Sequence, residues 1–76
     1  MTLKPIERRC IIAIYEEPGL PIYKVGYRAD ISYATIFKII DRLLEKDLIY
    51  IKSLKKSSKN IFPTDKAKEL IKWKKI

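Results

Sequence analysis

Between Glu45 and Leu48 the spacing of apolar residues changes, and this change limits the possible folds more than any other feature of the chain. Before it, Ile36, Ile40, Leu43 and Leu44 recur at i, i+4, i+7 and i+8, the pattern of an amphipathic helix. After it, "LIYIKS" (residues 48–53) alternates and is rich in β-branched and aromatic side chains, the pattern of a half-buried strand. A period that switches from about 3.6 to 2 within so few residues implies an α+β chain.

The segments on either side extend the pattern. In "KPIERRCIIAIYEE" (4–17), Pro5 suits a first helical turn, and Ile6, Cys10, Ala13 and Ile14 share a face. Ile11, Ile12 and Tyr15 lie on other faces, so this helix is apolar over much of its circumference and is expected to have two packing partners. "PGLP" (18–21) stops it. Pro21 can then open a short second helix in which Ile22, Val25, Gly26 and Ala29 share a face. Asp30, Ile31 and Ser32 form a turn, with Ser32 as the N-cap of a third helix starting at Tyr33. Two helices joined by so short a turn, with an apolar residue in it, form a helix-turn-helix. Beyond the strand, "IF" (61–62) reads as a shorter partner strand ended by Pro63, so "LKKSSKN" (54–60) becomes a hairpin loop. Thr64 caps a last amphipathic helix carrying Ala67, Leu70, Ile71 and Trp73 among lysines.

Composition narrows the function. The chain has 76 residues, enough for one domain (1–76) with a small core. One cysteine excludes an intrachain disulfide, and the absence of histidine makes a zinc site improbable. Catalysis has little to stand on, because Cys10 has no general base and no glycine-rich phosphate loop is present. No metal, cofactor or small-molecule effector is expected, nor an enzyme. No apolar run approaches the ~20 residues that span a bilayer, and no signal peptide opens the chain, so a soluble cytoplasmic protein is expected, in a prokaryotic or viral host cell. Isoleucine and lysine abundance with one asparagine and no glutamine points to an AT-rich genome or a thermophile.

The charge has a direction. Lysine and arginine total 17 against 9 acidic residues, a net +8. Residues 4–17 are neutral, whereas 50–60 carry Lys52, Lys55, Lys56 and Lys59 with no acid, and 65–76 carry five lysines against two acids. This excess in the second half is the footprint of a nucleic-acid binder, although a solvated lysine-rich surface would look the same by composition alone.

"ADISYATIFKIIDRLLEKDLIYIK" (29–52) resembles the core of winged helix-turn-helix transcription regulators of the MarR, PadR and ArsR type, and the resemblance extends over residues 21–64. It implies a mostly helical winged helix-turn-helix: a three-helix core, a β-hairpin wing and a C-terminal helix. The helix-turn-helix would span about 21–46, the wing 48–62 and the last helix 65–76. Asp30 and Asp47 stand where that pattern has glycines; aspartate tolerates a left-handed backbone better than most residues.

The resemblance implies that the third helix enters the major groove of double-stranded DNA with its N-terminal residues and outer face. Those are Ser32, Tyr33, Ala34, Thr35, Phe37, Lys38, Asp41 and Arg42. Lys38 and Arg42, four residues apart, can read guanine, Ala34 or Thr35 a thymine methyl, and Ser32 and Tyr33 can reach phosphate. Phe37 is expected at the boundary of the core, with DNA contact second. In the hairpin, Lys55, Lys56, Ser57, Ser58 and Lys59 suit phosphate contacts that position without reading sequence. Ile11, Tyr15, Leu70, Ile71 and Trp73 are expected to bury a homodimer interface, with Cys10 in the core or pairing across it. The rival reading is a winged-helix module binding RNA or a protein, for which Tyr33, Phe37 and Ile39 would form the surface.

Overall fold

The computed structural model describes residues 3–55 and 58–74, with side chains described for 3–53 and 59–71. Its elements are α1 (Pro5–Glu16), β1 (Leu20–Pro21), α2 (Ile22–Ala29), α3 (Tyr33–Glu45), β2 (Ile49–Lys55), β3 (Ser58–Pro63) and α4 (Asp65–Lys74). The strands form one antiparallel sheet in the order β1-β3-β2. Helices α1, α2 and α3 pack around a common core with Ile61 of β3 and Ala67 of α4. This is the winged helix-turn-helix arrangement expected from the residue pattern.

Why α2 and α3 cross closely is visible at Gly26. A Cβ there would lie 3.2 Å from the Ile31 carbonyl oxygen and 3.4 Å from the Ile36 side chain, so the helices approach over a hydrogen atom. The turn between them is held by the Ile31 N–H, which donates to the Gly26 carbonyl (2.8 Å), and by a left-handed Asp30 (φ 58°, ψ 48°). This pair of features is the Schellman pattern, and it drops Ile31 into the core. Ser32 then caps α3, its hydroxyl accepting from the Thr35 N–H at 3.3 Å. The far end of α3 repeats the device. Asp47 is left-handed (φ 59°), the Leu48 N–H donates to the Leu43 carbonyl at 3.0 Å, and Leu48 is fully buried. Both aspartates therefore take the backbone expected of glycine substitutes.

The buried face of α3 is Ile36, Ile39, Ile40 and Leu43. Here the sequence expectation needs correction: Leu44, assigned inward, is 37% exposed, and Ile39, left out of the inward set and placed outward by the rival reading, is 2% exposed. Both sets satisfy the helical period and share Ile36, Ile40 and Leu43, so spacing alone does not choose between them. Burial of Ile39 also removes one of three residues from the apolar surface on which the rival protein-binding reading depends.

Two features of the sheet differ from expectation. The residues of β1 suggest only a helix stop, yet Leu20 pairs with Ile61 and Pro21 with Asn60. Gly19, in the positive-φ region (φ 91°), lets the chain turn there, and its N–H donates to the Ile61 carbonyl at 2.8 Å. Asn60 Nδ2 donates to the Gly19 carbonyl at 2.6 Å. The hairpin strands also run into the stretch expected to be a loop. Below the pairs Tyr50–Phe62, Ile51–Ile61 and Lys52–Asn60, an irregularity is followed by a further pair, Lys55–Ser58. Tyr50 and Phe62 stack with ring centroids 5.4 Å apart.

Thr64 joins the sheet to α4: its hydroxyl accepts from the Ala67 N–H (3.3 Å) and donates to the Asp47 carbonyl (2.7 Å). Cys10 is wholly buried, and burial pushes its thiol up to about 12, which leaves it a small core side chain without a nucleophilic role.

Two substitutions test the turn. Gly26→Val forces a side chain against Ile31 and Ile36 and is expected to destabilise by about 1–3 kcal/mol. Asp30→Gly relieves a left-handed strain while loosening the unfolded chain, so the net change should stay within about 1 kcal/mol. Urea unfolding of both variants checks the pair; equal effects would contradict the close approach.

Candidate nucleic-acid interface

The outer face of α3 presents Tyr33, Ala34, Phe37, Lys38, Asp41 and Arg42, all exposed, with Thr35 half-buried. Ser32 is exposed too, but its hydroxyl is engaged: it accepts from the Thr35 N–H and donates to Thr35 Oγ1 at 2.8 Å. The capping that starts the helix therefore uses the hydroxyl expected to reach phosphate. Tyr33 and Phe37 form an edge-to-face pair, centroids 5.0 Å apart and planes at 90°. Phe37 is 42% exposed, so it stands on the surface rather than at the core boundary.

Arg42 stands apart from Lys38. Its guanidinium lies 4.0 Å from Glu7 Oε2 on α1, although about half of the side chain stays exposed. Glu7 is the one charged side chain among the described residues that is fully buried, at 1% exposure. Lys46 Nζ donates to its Oε1 at 3.0 Å, and the Lys4 N–H donates to the same oxygen at 3.1 Å. Burial pushes the carboxyl up, but the Lys4 N–H, the Lys46 hydrogen bond and the Lys46 and Arg42 charges outweigh it, so its pKa is lowered below 4.5. This cluster ties α1 to the last turn of α3. Sequence reasoning passes over Glu7 as a charged flank. Its spacing carries the signal, because Glu7 falls three, four and seven residues before Cys10, Ile11 and Ile14 on the apolar stripe.

In the wing, Lys59 is exposed, while the side chains of Lys55 and Ser58 and the whole of Lys56 and Ser57 lie outside the described residues. The backbone nonetheless places Lys55 and Ser58 opposite each other at the end of the hairpin. A mainly apolar groove of about 390 Å³ runs between α1 and α4, lined by Leu3, Ile11, Ile12, Tyr15, Leu70 and Ile71, with Arg8 and Glu16 also on its wall. Ile11 is already buried within the chain and forms the floor; Ile12 and Tyr15 supply the exposed apolar surface. Of the five residues assigned to a dimer interface, four meet here, and the side chain of Trp73 lies outside the described residues.

No His, Cys, Asp or Glu group among the described residues is arranged to hold a metal ion. No helix among them is long and apolar enough to cross a membrane.

By sequence, the chain matches no protein-family model and no curated protein. By structure, it superimposes on solved transcription regulators. PcaV from Streptomyces coelicolor matches with a TM-score of 0.83 at 21% identity, over 92% of this chain and 53% of that one. A MarR-family regulator from Silicibacter pomeroyi gives 0.84 at 20% identity, over 93% and 49%. MepR, a regulator of the Staphylococcus aureus multidrug efflux pump MepA, gives 0.86 at 19% identity, over 93% and 54%. The fold is thus that of the MarR-type winged helix, and the chain spans about half the length of these proteins.

The Glu7 cluster makes stability depend on pH in one direction. A carboxyl whose folded pKa is lowered contributes above its unfolded value and loses that contribution as pH falls through the folded pKa. Stability should therefore decline below about pH 4.5, and Glu7→Gln should flatten that decline while costing about 1–3 kcal/mol at neutral pH. Urea unfolding across pH 3 to 7, on both proteins, measures the difference (~4 pH units that take in the carboxylate range).

Proposed function

We propose that the chain binds double-stranded DNA sequence-specifically and regulates transcription, as a homodimer on a roughly palindromic operator. It is read as a binding protein and not an enzyme. The observation that carries this is the placement of α3: a capped helix, fixed at both ends, with an outer face free of core contacts, on the fold of known regulators and in a chain of net charge +8. Phosphate attraction supplies most of the affinity of such a protein, and the side chains on α3 supply the choice of sequence.

Within this reading Lys38 is the principal hydrogen-bonding reader, with guanine O6 and N7 as its natural partners. Arg42, held toward Glu7, flanks the site and meets the backbone or the outermost base pair. Tyr33 offers its hydroxyl to phosphate. Lys55, Lys56, Ser57, Ser58 and Lys59 anchor the wing to phosphates at or within the minor groove. The α1–α4 groove supports the dimer: an apolar channel rimmed by Ile12 and Tyr15 is the kind of surface a second copy covers. Two copies of α3 related by a twofold axis would meet half-sites about 10 base pairs apart.

Selection of bound sequences from random duplexes tests the whole. A twofold-symmetric motif is expected, with affinity falling steeply as salt rises. Absence of duplex binding, or binding insensitive to salt, overturns the reading. Lys38→Ala should relax sequence preference at one position per half-site. Alanine at Lys55, Lys56 and Lys59 together should weaken all sequences alike and lower the salt slope by about 0.9 for each phosphate left without its lysine. Tyr15→Glu should shift sedimentation from dimer to monomer; a wild-type monomer at micromolar concentration would remove the twofold model.

A further inference from the structure

The first two turns of α3 are poor in free hydrogen-bonding groups. Ser32 spends its hydroxyl on the cap, and Thr35 is half-buried with its Oγ1 accepting from Ser32. Lys38 is the one cation in that stretch, since Arg42 lies a turn further on, against Glu7. Apart from the Tyr33 hydroxyl, what else is exposed on this face is carbon: the Tyr33 ring, Ala34 and Phe37.

The two aromatic rings also pack on each other. Tyr33 (66% exposed) and Phe37 (42% exposed) are four residues apart on a capped helix, and each ring's edge or face is held by the other at 5.0 Å. Their mutual contact leaves most of Tyr33 and much of Phe37 uncovered by the fold. Four residues advance about 6 Å along a helix, close to two base-pair steps at about 3.4 Å each. In the major groove only one base-edge feature is apolar, the C5-methyl group of thymine.

We propose that the Tyr33–Phe37 pair is a specificity determinant that reads thymine methyl groups at one or two neighbouring positions of each half-site, beside the position read by Lys38. The inference rests on the DNA-binding reading above and deepens it: it names the chemical group that the apolar part of α3 recognises. Sequence choice then comes from methyl contacts and one lysine rather than from a row of bidentate hydrogen bonds. Phe37 supplies the contact, and Tyr33 holds its ring in place while adding its own edge.

Replacing thymine by deoxyuridine removes the methyl group and leaves every hydrogen-bonding atom of the base pair unchanged. The experiment takes a duplex recovered by selection and remakes it with deoxyuridine at one thymine at a time. Affinities are measured for the wild-type protein and for Phe37→Ala and Tyr33→Ala, whose unfolding is followed in parallel. Removing one buried methyl group should weaken wild-type binding about fourfold at one or two adjacent positions per half-site. Phe37→Ala should bind thymine and uracil duplexes equally at those positions while keeping the wild-type salt slope, and Tyr33→Ala should show a reduced preference. Wild-type binding that is indifferent to every uracil overturns the inference and leaves the DNA reading standing. An undiminished thymine preference in both variants also overturns it, assigning the methyl to another side chain such as Ala34. Failure to bind any duplex, or preference for single-stranded RNA, overturns both readings.

Discussion

Everything that faces outward from α3 depends on that helix being held at both of its ends. At the start, the left-handed Asp30, the Ile31 N–H bond to Gly26 and the Ser32 cap fix where α3 leaves α2. At the finish, the left-handed Asp47 and buried Leu48 turn the chain into β2, and Lys66 Nζ donates to the Lys46 carbonyl at 3.1 Å. Buried Glu7 adds a third tie by drawing Lys46, and more loosely Arg42, onto α1. A buried ion pair is weak evidence for net stability, because desolvation offsets much of the Coulomb gain. Its effect here is geometric: a carboxylate with almost no exposure to water leaves Lys46 and the last turn of α3 few other places to be.

These ties explain how so small a chain can present a defined surface. A domain of this size has a limited core, and its precision comes from turns that leave few alternatives. Both turns bracketing α3 use the same device, in which an apolar residue following a left-handed aspartate enters the core. Ile31 and Leu48 are therefore hydrophobic anchors placed in loops, where solvent-facing polar residues would be the ordinary choice. The Thr64 hydroxyl closes the circuit by bonding the Asp47 carbonyl, so the start of α4 and the end of α3 share one hydrogen-bonded corner.

Much of this is legible in the residues themselves. The helix-turn-helix can be read because Val25, Gly26, Ala29, Ile31 and Ser32 each have a local reason to stand where they do, and the left-handed backbone of the two aspartates follows from their standing where the resembled pattern has glycines, a conformation aspartate tolerates. The inward set of α3 is less legible, since exchanging Ile39 for Leu44 leaves the period intact and only the direction of approach of the other helices decides. β1 escapes because two residues, one of them proline, carry no pattern; Leu20 and Pro21 are strand only because β3 lies beside them. The hairpin also extends into a lysine- and serine-rich stretch of low strand propensity: pairing that runs from Ile49–Pro63 to Lys52–Asn60 resumes past a register shift at Lys55–Ser58. Of the site, the outward residues of α3 are readable as a set, but not the fact that capping occupies Ser32 or that Arg42 leans toward Glu7. Both are contacts across a turn or between helices, which spacing along one helix does not contain.

Under the proposed DNA-binding reading, the partition of polar groups on α3 has a consequence for how affinity and choice are divided. Groups that could have served as readers are recruited into holding the helix: Ser32 and Thr35 at its start, Lys46 and in part Arg42 at its end. Among the described residues, Lys38 and the Tyr33–Phe37 pair on the helix and Lys59 on the wing stay exposed. Lysine at a phosphate binds as a point charge without strong directional demand, so under the proposed reading the wing would add attraction at every sequence. On that reading discrimination would fall to Lys38 and to whatever fits against Tyr33 and Phe37, and an apolar surface discriminates by shape and methyl content, at a smaller penalty per wrong base than a bidentate hydrogen bond exacts. If the proposed homodimer forms, selectivity would come chiefly from using two copies of the site at once, and the α1–α4 groove would then matter to sequence choice as much as α3 itself.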